Sequence, residues 1–182
     1  MYINTTTQAY PLSEQDVRNA HPNVSGPMPY AGYAWVFSTP QPTFNSVTQM
    51  VREVTPVLTV KGTWEQAWTV VKRYDNQADE DAAVAADNAL KVKAIQDAIV
   101  TATQLRLDTF AQTRNYNGIL SAATYATSNV PRFQAEGEYC VNQRDATWAK
   151  LYEMLAEVQA GTRPMPTGYA DIEAELPVLV WP

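Results

Sequence analysis

The sequence predicts an α+β protein: a small antiparallel β N-terminal region followed by a long helical hairpin with short terminal helices. Three observations lead there. Residues 1–56 hold seven of the twelve prolines and residues 57–130 hold none, so turn-rich chain gives way to uninterrupted segments. β-branched and aromatic residues dominate 33–37 and the stretch 47–74. From Asp75 the composition turns to Ala, Leu, Lys, Asp and Gln, with the spacing of helices. The boundary is expected between a β-rich docking region, 1–74, and a helical module, 75–182, whose long helices run near 76–115 and 131–160.

Each element has its own signal. "LSEQDVRNAHP" reads as a short helix capped by Ser13, with Asp16 in capping-box position and Pro22 as the stop. "YAWVF" places Tyr33, Trp35 and Phe37 on one strand face. Lys61-Gly62 sits between two β-prone runs and marks a hairpin. On its returning strand Trp64, Gln66, Trp68 and Val70 share a face, while Pro56 makes the outgoing strand broken or an edge. The sheet is expected to have about three strands and to need covering.

The helix that follows would have about 35 residues and span roughly 50 Å. Its acids, Asp75, Asp79, Glu80 and Asp81, lead, and Arg106 and Arg114 come late, the order a helix dipole favours. Asn117-Gly118 is the expected stop. Ala85, Asn88, Val92, Ile95, Ile99, Ala102 and Arg106 repeat at alternating steps of three and four, with polar residues near both ends. That stripe suits packing within the chain or a seam between copies. "GILSAATYATS" reads as a short helix or turn, and Pro131 opens the second long helix. Its stripe is Gly137, Val141, Arg144, Trp148, Leu151, Leu155 and Val158, ended by Gly161. "YADIEAELP" reads as a last short helix and "VLVWP" as an apolar tail.

Composition narrows the function. Thirteen basic against nineteen acidic residues give a net charge of −6, with no basic cluster, which argues against nucleic acid and against an anionic membrane. No apolar run approaches the roughly 20 residues of a membrane span, and "MYINTTTQAY" lacks the pattern of a signal peptide. One cysteine, Cys140, and one histidine, His21, leave Cys-His dyads and His/Cys metal sites short of parts. No nucleophile elbow, P-loop, dinucleotide fingerprint or zinc-protease motif occurs, so neither a catalytic residue nor a cofactor is expected.

The remaining polar candidates have plainer readings. Glu138, Asp145 and Glu153 lie off the apolar stripe, where solvated charge is ordinary; Glu136 and Glu157 complete the set of acids that paired-carboxylate chemistry would need. Arg144, inside the stripe, is expected to lay its stem on the core and reach solvent or an acid, such as one of the first long helix. Cys140 reads as a buried inert thiol and His21 as a helix-end residue. Tyr30, Tyr33, Trp35, Trp64 and Trp68 suit either a sheet core or a glycan platform.

Two groups of residues therefore stand out as contact surfaces: Val92, Ile95, Ile99, Val141, Arg144, Trp148, Leu151, Leu155 and Val158 for helical packing or a partner, and Tyr33, Trp35, Trp64 and Trp68 for docking through the β region. The segments "TRNYNGILSAATYATS", "PRFQAEGEYC", "RDATWAKLYEMLAEVQAGTRP" and "IEAELP" resemble a helical module of tailed-bacteriophage tail-region and tail-fibre-type proteins, over about 70 residues or some 40% of the chain. "LSEQDVRNAHPNVSGP", "YAWVF" and "GTWEQAWTV" resemble, less specifically, the β region of tail-fibre assembly and tail-associated proteins. The resemblance implies a non-enzymatic part of a phage tail, its fibre attachment or its assembly. Such a part is made in the host cytoplasm and partnered by tail or fibre proteins, or by copies of itself. A fibre-assembly chaperone and a glycan-binding tail accessory are the alternatives.

Overall fold

The computed structural model describes residues 1–182 and divides into two compact units, Met1–Asp87 and Asn88–Pro182. The α+β class follows at once: strands occupy the first unit and helices most of the second.

The first unit holds β1 (Tyr2–Asn4), α1 (Glu14–Ala20), β2 (Tyr33–Phe37), β3 (Gln49–Leu58) and β4 (Trp64–Lys72), in sheet order β1-β2-β4-β3. β3 and β4 form the hairpin, turning at Gly62 with φ +78°, a left-handed backbone that glycine accepts freely. β1 adds a fourth strand to the three expected, antiparallel to β2. β2 lies parallel to β4, a non-local pairing that local alternation does not reveal. β3 is an edge strand, and its register shifts between Val54 and Val57, around Pro56, which has no N–H to give a ladder. The capping box of α1 forms as read: the Asp16 N–H donates to Ser13 Oγ at 3.1 Å, and the Ser13 N–H donates to the Asp16 carboxylate at 2.8 Å.

Register decides which side chains share a face. Tyr2 pairs with Trp35, Phe37 with Glu65 and Val57 with Glu65, so Tyr2, Tyr33, Trp35, Phe37, Glu65, Ala67, Val54 and Val57 line the front of the sheet. Val36 pairs with Trp64 and Glu53 with Trp68, so Ile3, Val36, Trp64, Gln66, Trp68 and Glu53 line the back. On the front, Val17 of α1 is fully buried in a cluster with Tyr2 and Tyr30, joined by Tyr33. On the back, the segment after β2 is strapped down: Trp68 Nε1–H donates to Thr39 Oγ1 at 3.0 Å, and Ser38 donates to Gln66 at 2.8 Å. Tyr10 adds a hydrogen bond to Glu53.

The helical unit is built from α2 (Gln77–Gln112), α3 (Ile119–Ala123) and α4 (Pro131–Gln159); α2 starts within the first unit. α2 ends before the expected Asn117-Gly118, because Asn115 takes the left-handed conformation at φ +65°. Gly118 serves a different purpose: a Cβ there would stand 2.6 Å from Asp108 Oδ1, the atom that accepts the Ile119 N–H at 2.8 Å. α4 starts at Pro131 and ends at Gly161, φ +73°, with the Thr162 N–H on the Glu157 carbonyl at 3.0 Å.

α2 and α4 run antiparallel, as their paired contacts show. Leu107 and Ala111 pack on Cys140 with Ile119 and Ala122, while Ile99 packs on Met154 with Ile172 and Leu176. Full burial of each large aliphatic side chain contributes about 1.5–3 kcal/mol. The residues after Gly161 form two 3₁₀ turns, Tyr169–Asp171 and Glu173–Glu175, where one short helix was expected. The tail closes on the first cluster through Leu179 and Trp181, the latter stacked 4.3 Å from Phe110.

Candidate functional site

The helical stripes converge on one concave feature. Between the middle of α2, the C-terminal half of α4 and the chain after Gly161 lies a cavity of about 280 Å³. Ile99 and Val100 form one wall; Trp148, Leu151, Tyr152, Leu155 and Val158 form another; Met165, Pro166 and Ile172 close the third. Gln96, Asp97 and Arg163 supply the polar rim. Such an apolar cleft with a few polar groups at its edge suits a side chain or two of a partner. Arg163 holds the third wall in place through ion pairs to Glu157 at 3.3 Å and to Glu175. Hydrogen bonding to Glu175, partly opposed by desolvation, raises its pKa.

Of the residues singled out in sequence, Ile99, Trp148, Leu151, Leu155 and Val158 line this cleft, and Ile95 packs on the cluster beneath it. Val92 does not join them; it is exposed on the preceding turns of α2. Val141 is half-buried outside the cleft. Arg144 reaches an acid, but a neighbouring one: its guanidinium pairs with the adjacent Asp145, at 2.8 Å, and not with an acid of α2. Proximity along α4 gives it that partner without any helix crossing. Sequence reading missed Val100 and Tyr152, whose exposure is visible only once the antiparallel register is known.

The charge pair that ties α4 to the turn after α2 is instead Arg114 with Glu136. Glu136 is 2% exposed and accepts from Arg114, from Tyr116 at 2.7 Å and from Arg132 at 2.9 Å. Burial pushes its pKa up, but these three donors outweigh burial and hold it at about 2. Tyr116, desolvated and tied to that carboxylate, is pushed up to about 12. Arg114 also lies 4.7 Å from the Trp181 ring centre, so the tail covers the cluster. A carboxylate saturated by two cations and a phenol is a poor general base; its place is structural. Cys140, beside it and fully buried, is raised to about 11 by desolvation and by the Glu136 charge.

A polar layer separates the two apolar clusters. Thr103 and Thr147 are fully buried at corresponding levels of α2 and α4, and their hydroxyls, with Arg106 Nη1, Gln143 Oε1 and the Tyr169 hydroxyl, have no hydrogen-bond partner in the chain. Arg106 Nη2 donates to the Pro177 carbonyl at 2.7 Å. Layers of this kind cost stability and penalise slipped registers.

In the β region the four aromatic candidates do not form one platform. Tyr33 and Trp35 face the front of the sheet, while Trp64 and Trp68 face the back, with the Trp68 indole tied to Thr39. No group of three or more His, Cys, Asp or Glu is placed to hold a metal ion, and no helix is long and apolar enough to cross a membrane. Comparison with protein-family models, curated proteins and solved structures finds no match to this chain.

Proposed function

We propose that this chain is a non-enzymatic structural component of a bacteriophage tail, associated with its fibre or baseplate and acting through protein–protein contacts. The observation that carries the reading is the cleft on the helical unit: an apolar hollow walled by Trp148, Tyr152, Leu155 and Val100, set in the segment that resembles tail-region proteins. Its lining offers an anchor site for a partner's aliphatic or aromatic side chain. The acid with the most strongly lowered pKa, Glu136, lies outside the cleft and is spent on an internal pair, which supports a scaffold over a catalyst. A glycan platform has less support, since the tryptophans that would build it lie on opposite faces of the sheet.

Quantitative mass spectrometry of purified particles from the encoding phage or prophage tests the proposal. The expected result is a stoichiometric signal in the tail. Absence from particles, together with presence in the infected cell bound to fibre protein, would replace it by an assembly chaperone.

A further inference from the structure

The front of the sheet is only half covered. α1 packs over its β1–β2 end, through Val17 against Tyr2 and Tyr33. Beyond that, Trp35 is 46% exposed, Phe37 50%, Val54 40% and Val57 53%. Trp35 and Phe37 sit on β2 and Val54 and Val57 on β3, with β4 between them presenting Glu65 and Ala67 on the same face, so two apolar strips flank a central strand that carries a charge.

The patch carries two charges at set positions. Glu65 lies between Phe37 and Val57 in one cross-strand row, and neither a hydrogen bond nor an ion pair engages its carboxylate. Two rows further along, beyond the Ala67–Val54 row, Arg52 pairs across from Thr69 and is likewise unengaged. Four residues of β4 separate the Glu65 and Thr69 rows, about 13 Å at strand rise. The arrangement is its own complement. Rotation by a half-turn about an axis along the Ala67–Val54 row lays the Glu65 row of one sheet over the Arg52 row of another. Ala67 and Val54 then meet their own counterparts between them.

We propose that this face binds the same face of a second copy, giving a two-fold dimer of sheets packed front to front. Arg52 of each copy reaches the Glu65–Val57 pair of the other, so both charges gain partners and the exposed row is covered. The strands of the two copies run in opposite directions, which sends the two α1 helices to opposite ends of the interface. An isologous contact of this kind closes at two chains and is built from residues of the sheet alone, so the inference stands apart from the reading of the helical cleft.

Sedimentation or light scattering of the full chain, at concentrations up to several hundred micromolar, reads the outcome. The molar mass is expected to rise from 20.2 kDa toward twice that value. Arg52→Glu alone and Glu65→Arg alone are each expected to weaken association at least tenfold, because like charges then face each other. An equimolar mixture of the two restores it, since every contact again joins opposite charges. Phe37→Lys, at an exposed position, reads the apolar part and is expected to keep the chain single; circular dichroism confirms the fold of each variant. A wild-type chain that stays single overturns the proposal, and so does a dimer indifferent to Arg52→Glu, Glu65→Arg and Phe37→Lys.

Discussion

Gly137 of α4 and Ala126 of the 3₁₀ turn Thr124–Thr127, which follows α3, approach so closely that a Cβ on Gly137 would stand 2.2 Å from the Ala126 nitrogen. The obstruction is backbone, with the Tyr125 carbonyl carbon 2.4 Å away, so it cannot be relieved by a side-chain rotation. In an exposed helix, glycine to alanine stabilises by up to about 1 kcal/mol. Here the sign reverses. Gly137→Ala is expected to cost about 3 kcal/mol, lowering the melting temperature by roughly 10 °C in a thermal scan. An unchanged or raised midpoint would show that the turn does not press on the helix.

Glu136 gives stability a pH dependence of definite sign. Its pKa falls from 4.5 to about 2 on folding, so the unfolded chain holds the proton more tightly. Its contribution is therefore fully present above the unfolded value and is lost as pH falls from about 4.5 toward 2. Glu136→Gln, which keeps the shape and removes the charge, is expected to cost about 2 kcal/mol at neutral pH. Urea titrations of the two proteins should converge as pH drops through that window. A gap that persists at pH near 2 would assign the loss to packing.

Cys140 is expected to stay inert. Fully buried and raised to about 11, the thiol should resist iodoacetamide in the native protein at about pH 8 and react promptly once urea unfolds the chain. Mass spectrometry of the alkylated product decides it. Fast native labelling would mean that α2 and α4 part readily at the first cluster.

What could be read from sequence follows the range of the interactions. Ser13 with Asp16, Pro131 at the start of α4 and Gly161 at its end act within a few residues, and their elements appear where the chain announces them. Alternation shows that Trp35 shares a face with Tyr33, and Trp64 with Trp68. It cannot show how β2 registers on β4, and that register sends the two pairs to opposite sides. Glu136 looks like one acid among several on a charged helix. The hint available was its setting, four residues after Arg132 and next to a glycine, a place where another backbone can come close. β1 escaped notice because three residues followed by threonines carry almost no strand signal alone; pairing with β2 makes them a strand.

The cleft yields the prediction closest to function. Val100 and Tyr152 stand on opposite walls, both exposed, so changing them disturbs little of the core. Val100→Lys and Tyr152→Lys are each expected to shift stability by less than about 1 kcal/mol, within the usual range for surface substitutions or slightly above it. If the cleft anchors a tail or fibre partner, either change places a cation where an apolar side chain must enter. Incorporation into particles should fall at least tenfold while soluble expression stays level. Leu120→Lys is the control, because Leu120 is exposed on α3 and outside the cleft. Equal loss in all three would mean that charge anywhere on the unit blocks assembly, and normal incorporation of the two cleft variants would remove the cleft from the contact.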